Sequence, residues 1–360
     1  MGLFLIYVYI EGKAMTTIST AIAPEQFPPD VQLLGIVSSA WTSAAIYVAA
    51  KLGIADLLKD GPRSSEYLSV ATATDPQALY RLLRAIASVG VFVEIGEKKF
   101  ANTPMSDTLR SDHPQSTRPM AIWMNEPEHW KVYGDLMYSV KTGQPAWDKT
   151  HGEPVFPYLF NTNRELGDIF NQAMTSYTHQ TTAPLLEAYD FGSANIIGDI
   201  GGGLGHLLGA ILKENPAQTG VLFDLPEVTE GATAMLKSYG VAERVEILTG
   251  DFTDDIPVVA DLYLLKHIIH DWYDDKNRVI LNNIRKNMPD AAKVLIIEAL
   301  VPKGNSPHFS KIIDLEMLAV PGGMERTVDE FEDLLTSSGL RLSRIIPTKG
   351  LMSIIEATKP

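Results

Sequence analysis

The stretch Ile196-Ile197-Gly198-Asp199-Ile200-Gly201-Gly202-Gly203-Leu204-Gly205-His206 joins a short apolar run to an acid and a glycine cluster. The helix-forming run Leu207-Leu208-Gly209-Ala210-Ile211-Leu212 follows directly. Strand, tight turn and helix in that order open a nucleotide-binding α/β sheet. Glycines let the turn backbone approach a ligand where a Cβ would collide. The dinucleotide fingerprint Gly-x-Gly-x-x-Gly fails at its third position, which His206 occupies as a helix-start residue. The shorter pattern Asp199-x-Gly201-x-Gly203 is complete. More polar groups stand at the ends of the strand-like runs that follow, where open α/β sheets bind ligands. Asp224 in Phe223-Asp224-Leu225-Pro226 suits two hydrogen bonds from ribose hydroxyls, or else a helix N-cap. In Gly250-Asp251-Phe252 the carboxylate suits an adenine amino group and the ring suits stacking. Lys266-His267-Ile268-Ile269-His270-Asp271-Trp272 ends the fourth run and Ile297-Glu298 the fifth. His267 and His270 stand about one helical turn apart, the spacing of a metal pair. The segment leaves a strand and offers no third ligand, so no metal is expected.

A sheet must hold these groups. After Asp190-Phe191-Gly192 the strand-like runs are Ile196–Ile200, Gly220–Phe223, Val245–Thr249, Leu262–Leu265, Val294–Glu298, Leu342–Ile346 and Met352–Ala357. Helices are expected between the first five and before the sixth. That alternation implies a mainly parallel sheet with helices on both faces. Only Pro347 to Leu351 joins the last two runs, too little for a crossover helix, so they should pair antiparallel.

The first third of the chain reads differently. From Val31 to Leu58 apolar residues recur at helical spacing through Ile36, Ala40, Ala44, Val48 and Leu52. Ser64-Ser65-Glu66-Tyr67 and Asp75-Pro76 each start a further helix, and Leu79, Leu82, Leu83, Ile86 and Val89 share one face of the second. Gly90 to Ile95 and Lys98 to Ala101 form a hairpin around Gly96-Glu97. Helix, helix, hairpin is a winged-helix arrangement. DNA recognition would need clustered basic residues on the second helix, where only Arg81 and Arg84 stand, so a protein–protein role is favoured. Between Ser116 and Leu186 the chain is rich in aromatics and Met. Most of these belong to core and interdomain packing, and a subset suits an apolar pocket.

With 360 residues the chain can form two domains, and 45% apolar with 21% charged residues is a globular composition. Thirty Lys and Arg against 44 Asp and Glu give a net charge of −14, which opposes docking on nucleic acid or an anionic membrane. The absence of cysteine excludes disulfides, thiolate metal sites and cysteine nucleophiles. Leu3 to Ile10 is apolar but too short to span a bilayer, and it lacks the basic flank and cleavage site of a secretory leader. It reads as an upstream or vector-derived extension, or as an arm packing on a partner chain. Nothing argues for secretion, and a cytoplasmic protein is expected.

Asp199-Ile200-Gly201-Gly202-Gly203, Phe223-Asp224-Leu225-Pro226, Gly250-Asp251-Phe252, His270-Asp271-Trp272 and Gly322-Gly323-Met324-Glu325-Arg326-Thr327 together resemble the S-adenosylmethionine (SAM)-dependent O-methyltransferases of the caffeate, acetylserotonin and bacterial hydroxyarene type. The resemblance runs from about Leu33 to the C-terminus. It implies a Rossmann-like seven-stranded α/β sheet behind a mainly α, winged-helix-like N-terminal dimerisation domain, and a homodimer. It implies SAM as cofactor, S-adenosylhomocysteine as product, and no metal. By the same resemblance Asp199, Gly201, Gly203, Asp224, Leu225, Asp251, Phe252 and Lys266 bind the cofactor. His270 is the general base, and Glu298 and Glu325 flank it. An imidazole titrating near about 6.5 suits removal of a phenol proton, and either acid could hold its ring N–H. Phe170 and Met174 lie in a segment similar to the family helix that touches donor and acceptor, and Trp123 and Met124 join them as pocket candidates. Leu318-Ala319-Val320-Pro321 stands where phenylpropanoid enzymes carry Asn, which argues against a phenylpropanoid acceptor.

The chain is thereby divided into a leader (1–30), a dimerisation domain (31–115), a helical linker and pocket segment (116–188) and a SAM-binding catalytic domain (189–360). The expected acceptor is a hydroxyl on a small aromatic or polyketide-like molecule. Rival readings keep the SAM fold for N- or C-methylation, decarboxylation or hydroxylation, or make the chain a ligand-sensing winged-helix binding protein.

Overall fold

The computed structural model describes residues 27–360. The apolar Leu3–Ile10 run lies outside the described residues, as does the leader up to residue 26. Helix α1 (Pro29–Lys51) starts two residues before the expected boundary, with Pro29 in its first turn and Asp30 at its positive end. Its apolar stripe is not buried within the chain. Leu33, Leu34, Ile36 and Val37 face solvent and Trp41 is 78% exposed, while only Ala49 and Ala50 are buried. By length and composition alone α1 could cross a membrane.

Helix α2 (Ile54–Leu57), strand β1 (Arg63–Ser64) and helices α3 (Ser65–Thr72) and α4 (Pro76–Ala87) follow. Ser64 caps α3 by accepting from Tyr67 N–H, and Asp75 caps α4 by accepting from Ala78 N–H at 2.7 Å. The expected hairpin is β2 (Phe92–Glu94) and β3 (Lys99–Asn102), and β1 joins it in the order β1-β3-β2. Leu68, Leu79, Leu83, Ile86, Phe92 and Phe100 form the core of this unit. Helix α5 (Pro104–Asp107) closes it.

Short helices α6 (Arg118–Trp123), α7 (Pro127–Gly134), α8 (Leu136–Thr142), α9 (Ala146–His151) and α10 (Val155–Pro157) lead to the long α11 (Arg164–Ala188). Apolar faces of α6, α7, α9 and α11 meet in a cluster that holds Trp123, Val132, Trp147, Leu166 and Ala173.

The large sheet contains β4 (Ile196–Ile200), β5 (Thr219–Asp224), β6 (Val245–Thr249), β7 (Leu262–Lys266), β8 (Lys293–Ala299), β9 (Arg341–Pro347) and β10 (Met352–Thr358) in the order β6-β5-β4-β7-β8-β10-β9. The first five strands are parallel, and β10 runs antiparallel to both neighbours. Helices α12 (His206–Glu214), α13 (Pro226–Thr229), α14 (Ala232–Ser238), α15 (Asp274–Asn287), α16 (Ser310–Ala319) and α17 (Val328–Ser337) cover it. Val294, Leu295, Ile296 and Ile297 of β8 are all buried, as a parallel strand covered on both faces must be.

One expectation fails. No helix connects β6 to β7, and residues 250–261 cross in extended and turn conformations. Ile256, Val258 and Ala260 are buried at every second position, which is the period of an extended segment lying on the core, and Pro257 would break a helix there.

Candidate functional site

The glycine turn leaves the end of β4 with Gly201 at φ +68° and Gly203 at φ +62°. A Cβ on Gly201 would stand 2.3 Å from Ile268 Cδ1, so the turn packs directly under the segment that carries His270. A Cβ on Gly203 would meet open space, so its backbone faces a free cradle. Asp224, at the end of β5, spans this turn. Its Oδ2 accepts from Gly203 N–H at 2.8 Å and its Oδ1 accepts from Leu225 N–H at 2.7 Å. Asp224 is not a helix cap, because Leu225 takes the N-cap position of α13 with no side-chain bond. Burial pushes the Asp224 carboxyl up, and the Gly203 and Leu225 amides oppose it.

Asp199 is buried, and its Oδ2 has no hydrogen-bond partner. Burial pushes its carboxyl to about 7 against the pull of the Lys266 ammonium. Lys266 ends β7 and donates to Thr178 Oγ1 at 3.1 Å, and burial brings its ammonium down to about 8 against the pull of Asp199. A buried acid and a buried base thus act on each other's charge beside the glycine turn. Asp251 follows β6, is exposed, and accepts from Thr253 N–H at 2.7 Å through Oδ1. The Phe252 ring packs edge-on against Trp272 with centroids 6.2 Å apart.

His270 sits in a single turn after β7 and is 7% exposed. Glu325 Oε1 lies 2.8 Å from its Nδ1, and Glu298 Oε1 accepts its backbone N–H at 2.9 Å. The two acids therefore divide the work: Glu325 orients the ring and Glu298, from β8, anchors the backbone. Both are buried, so neither is a surface ion pair. Nε2 lies 3.6 Å from Asp271 Oδ1, beyond hydrogen-bond length. Burial opposes charging of the ring, but Asp271, Glu325 and Glu298 outweigh it and raise His270 to about 9. The ring thus holds its proton far more tightly than an ordinary imidazole. Burial likewise lifts Glu298 to about 7 and Asp271 to about 6.

Arg326 and Asn277 support this turn, and sequence reasoning gave neither a role. Arg326 is 1% exposed. Its guanidinium donates to the Ile269, Trp272 and Met324 carbonyls and to Asp274 Oδ1 at 2.7 Å. Asn277 Nδ2 donates to the Ile269 and Trp272 carbonyls, 2.8 Å each. Gly323 lies against the turn so closely that a Cβ would stand 1.9 Å from the His270 carbonyl oxygen. Glu325 is fixed in turn by its backbone N–H, which donates to Asp314 Oδ1 at 2.8 Å. The available signal was a charged residue inside Glu325-Arg326-Thr327, a segment that lies beside a capping box at the start of α17.

An aromatic path runs from this turn into the helical segment. Trp272 packs on Phe156 at 5.8 Å, Phe156 on Phe170 at 6.3 Å, and Phe170 edge-on against Trp123 at 5.1 Å. Met174 joins the same cluster. Met124 does not: it is 42% exposed at the C-cap of α6. His267 has φ +57° and packs its ring 4.9 Å from His270 and 5.2 Å from Tyr177. Burial and the neighbouring Lys266 and His270 hold it well below the ordinary imidazole range. Among the described residues no group of three or more His, Asp or Glu side chains could hold a metal ion.

Fold and site together define an α/β protein of the nucleotide-binding type, with a buried histidine and acid cluster beside its glycine turn. The O-methyltransferase domain matches residues 133–341, and the O-methyltransferase dimerisation domain matches residues 34–112. A phenazine O-methyltransferase of Lysobacter antibioticus is 42% identical over 325 residues, 90% of this chain and 95% of its own length. An 8-amino-8-demethylriboflavin N,N-dimethyltransferase of Streptomyces davaonensis is 39% identical over 314 residues, 86% of this chain and 90% of its own. The crystal structure of human N-acetylserotonin methyltransferase with SAM superposes at TM-score 0.84 with 26% identity, covering 93% of this chain and 99% of that one. The chain belongs to the SAM-dependent O-methyltransferase family. It is an enzyme of methyl transfer, and relatives acting on oxygen and on nitrogen both stand close to it.

Proposed function

We propose that this methyltransferase acts on oxygen, at a hydroxyl of a small aromatic or polyketide-like acceptor, with His270 as general base. The observation that carries the reading is the 2.8 Å contact between His270 Nδ1 and Glu325 Oε1. A carboxylate there keeps the ring proton on Nδ1 and leaves Nε2 to take the hydroxyl proton. An amine acceptor loses its proton readily after transfer and has less need of such a base.

The cofactor reading rests on two buried charged groups beside the glycine turn. Asp199 Oδ2 has no partner, and Lys266 is near enough to act on its charge, so together they match the ammonium and carboxylate of an amino-acid tail. Asp224 and Leu225 beside the Gly201 turn and the open backbone of Gly203 suit the ribose, and Asp251 with Phe252 suits the adenine. When bound, SAM supplies a methyl group already activated on a sulfonium. The protein then has to align the acceptor and remove its proton. Phe170, Met174 and Trp123 are the acceptor wall, and Met124 is left out of it.

The same reading makes the enzyme a cytoplasmic homodimer whose solvent-facing α1 stripe is covered by the second subunit. It keeps the division at residues 30, 115 and 188. The test is S-adenosylhomocysteine release across phenols, catechols, hydroxyindoles, polyketide aromatics and matched arylamines, with product mass. Release with hydroxyl acceptors that collapses in His270→Ala supports O-methylation. Release with amines alone would move the enzyme to the N-methylating branch.

A further inference from the structure

One buried charged cluster takes no part in this chemistry. His129 on α7 is 1% exposed, with Nδ1 2.9 Å from the Trp123 carbonyl oxygen and Nε2 2.8 Å from Glu316 Oε1 on α16. Nδ1 meets a carbonyl and so carries a proton, and Nε2 faces the Glu316 carboxylate at ion-pair distance without an aligned hydrogen bond. Burial works against charging of the ring, but the Glu316 carboxylate holds His129 above its ordinary value. Glu316 is itself held below its own ordinary value despite burial. Tyr133, one turn further along α7, donates its hydroxyl to the second oxygen of Glu316. A single carboxylate of α16 is thus gripped twice by α7.

The other side of α16 meets the catalytic histidine. Asp314 Oδ1 accepts Glu325 N–H at 2.8 Å, and Glu325 Oε1 lies 2.8 Å from His270 Nδ1. The Met317 carbonyl accepts from Gly322 and Gly323 N–H, 2.9 Å each, which fixes the loop pressed onto His270. Asp314 and Glu316 are two residues apart, roughly 200° around a helix, so they leave α16 on opposite faces. The His129 ring also holds the carbonyl of Trp123 through Nδ1, in the aromatic wall.

We propose that His129 is a positioning residue for methyl transfer: its ion pair with Glu316 clamps α16 between the aromatic wall and the base, and so keeps Glu325 on His270. The proposal rests on the reading of His270 as base. Removing either partner breaks the pair across α7 and α16, and α16 is free to shift. Glu325 then loosens from Nδ1, and the imidazolium of His270 loses a stabilising acid.

The test compares the full chain with His129→Gln, Glu316→Gln and the double variant, which remove charge at nearly constant volume. The first readout is the NMR titration of the His270 ring without substrate, assigned against His270→Ala. The second is kcat and acceptor KM with the fastest acceptor of the panel above. The expected result is a His270 midpoint lowered by about one pH unit and a roughly ten-fold loss in the plateau kcat, read above pH 9. KM should change less, and the double variant should be no worse than the worse single one. A folded variant with unchanged midpoint and kcat overturns the proposal, even if its melting temperature falls or its KM rises. If His129→Gln fails to fold, Tyr133→Phe loosens the same carboxylate from a half-exposed position, and the His270 midpoint decides in the same way. Full activity in His270→Ala would sink the base reading instead, and the titration would still judge the clamp.

Discussion

At the scale of single residues, the site depends on how buried acids share one imidazole. His270→Ala should cost about 10²–10⁴ in kcat, the usual worth of a general base. Binding of S-adenosylhomocysteine, followed by calorimetry, should persist, because His270 is not among the proposed cofactor ligands. The pH profile has a definite sign. With His270 raised to about 9, only roughly one ring in a hundred is free base at pH 7. The rate constant should therefore climb between pH 7 and 9 and level off above that. Glu325→Gln removes one of the acids that raise the ring, so its ascending limb should move to lower pH while its plateau drops about 10–100-fold. A limb that stays in place would mean that Asp271 and Glu298 alone set the proton affinity.

At the scale of elements, the site is built where strand ends meet tight turns. Gly201 is the clearest case, since a Cβ there would both collide with Ile268 and sit at φ +68°. Gly201→Ala should weaken S-adenosylhomocysteine binding by at least about ten-fold, measured by calorimetry, because the turn must move away from the cradle. The strands and the glycine turn were legible in the sequence, because apolar runs bounded by glycine and acid admit few other structures. The β6–β7 crossing was not. Its Ile256, Val258 and Ala260 follow a two-residue period, but a crossover between parallel strands ordinarily carries a helix. Here the core accepts an extended segment instead. Arg326 and Asn277 escaped notice for another reason: their partners are backbone carbonyls, which have no sequence signature.

At the scale of the whole molecule, α1 carries a run of exposed apolar side chains. Leu33, Leu34, Ile36, Val37 and Trp41 all face solvent within the dimerisation domain. Exposed stripes of this kind mark interaction sites. Trp41→Glu with Leu34→Glu should shift the chain from dimer to monomer in sedimentation at micromolar concentration and lower its activity. If the variant stays dimeric, this stripe is not the interface.

The sequence by itself determined the order of the elements, the SAM-type glycine turn, the acids at the strand ends and the histidine proposed as base. All of these follow from local pattern and from residue type at fixed spacing. Which glutamate holds the ring was decided only by the tertiary structure, because Glu298 and Glu325 approach His270 from different elements and differ only in the atom they reach. The proton affinity of His270 was decided there too, since it sums the burial and charge of residues distant in sequence. So was the exposure of Met124 one position after the buried Trp123.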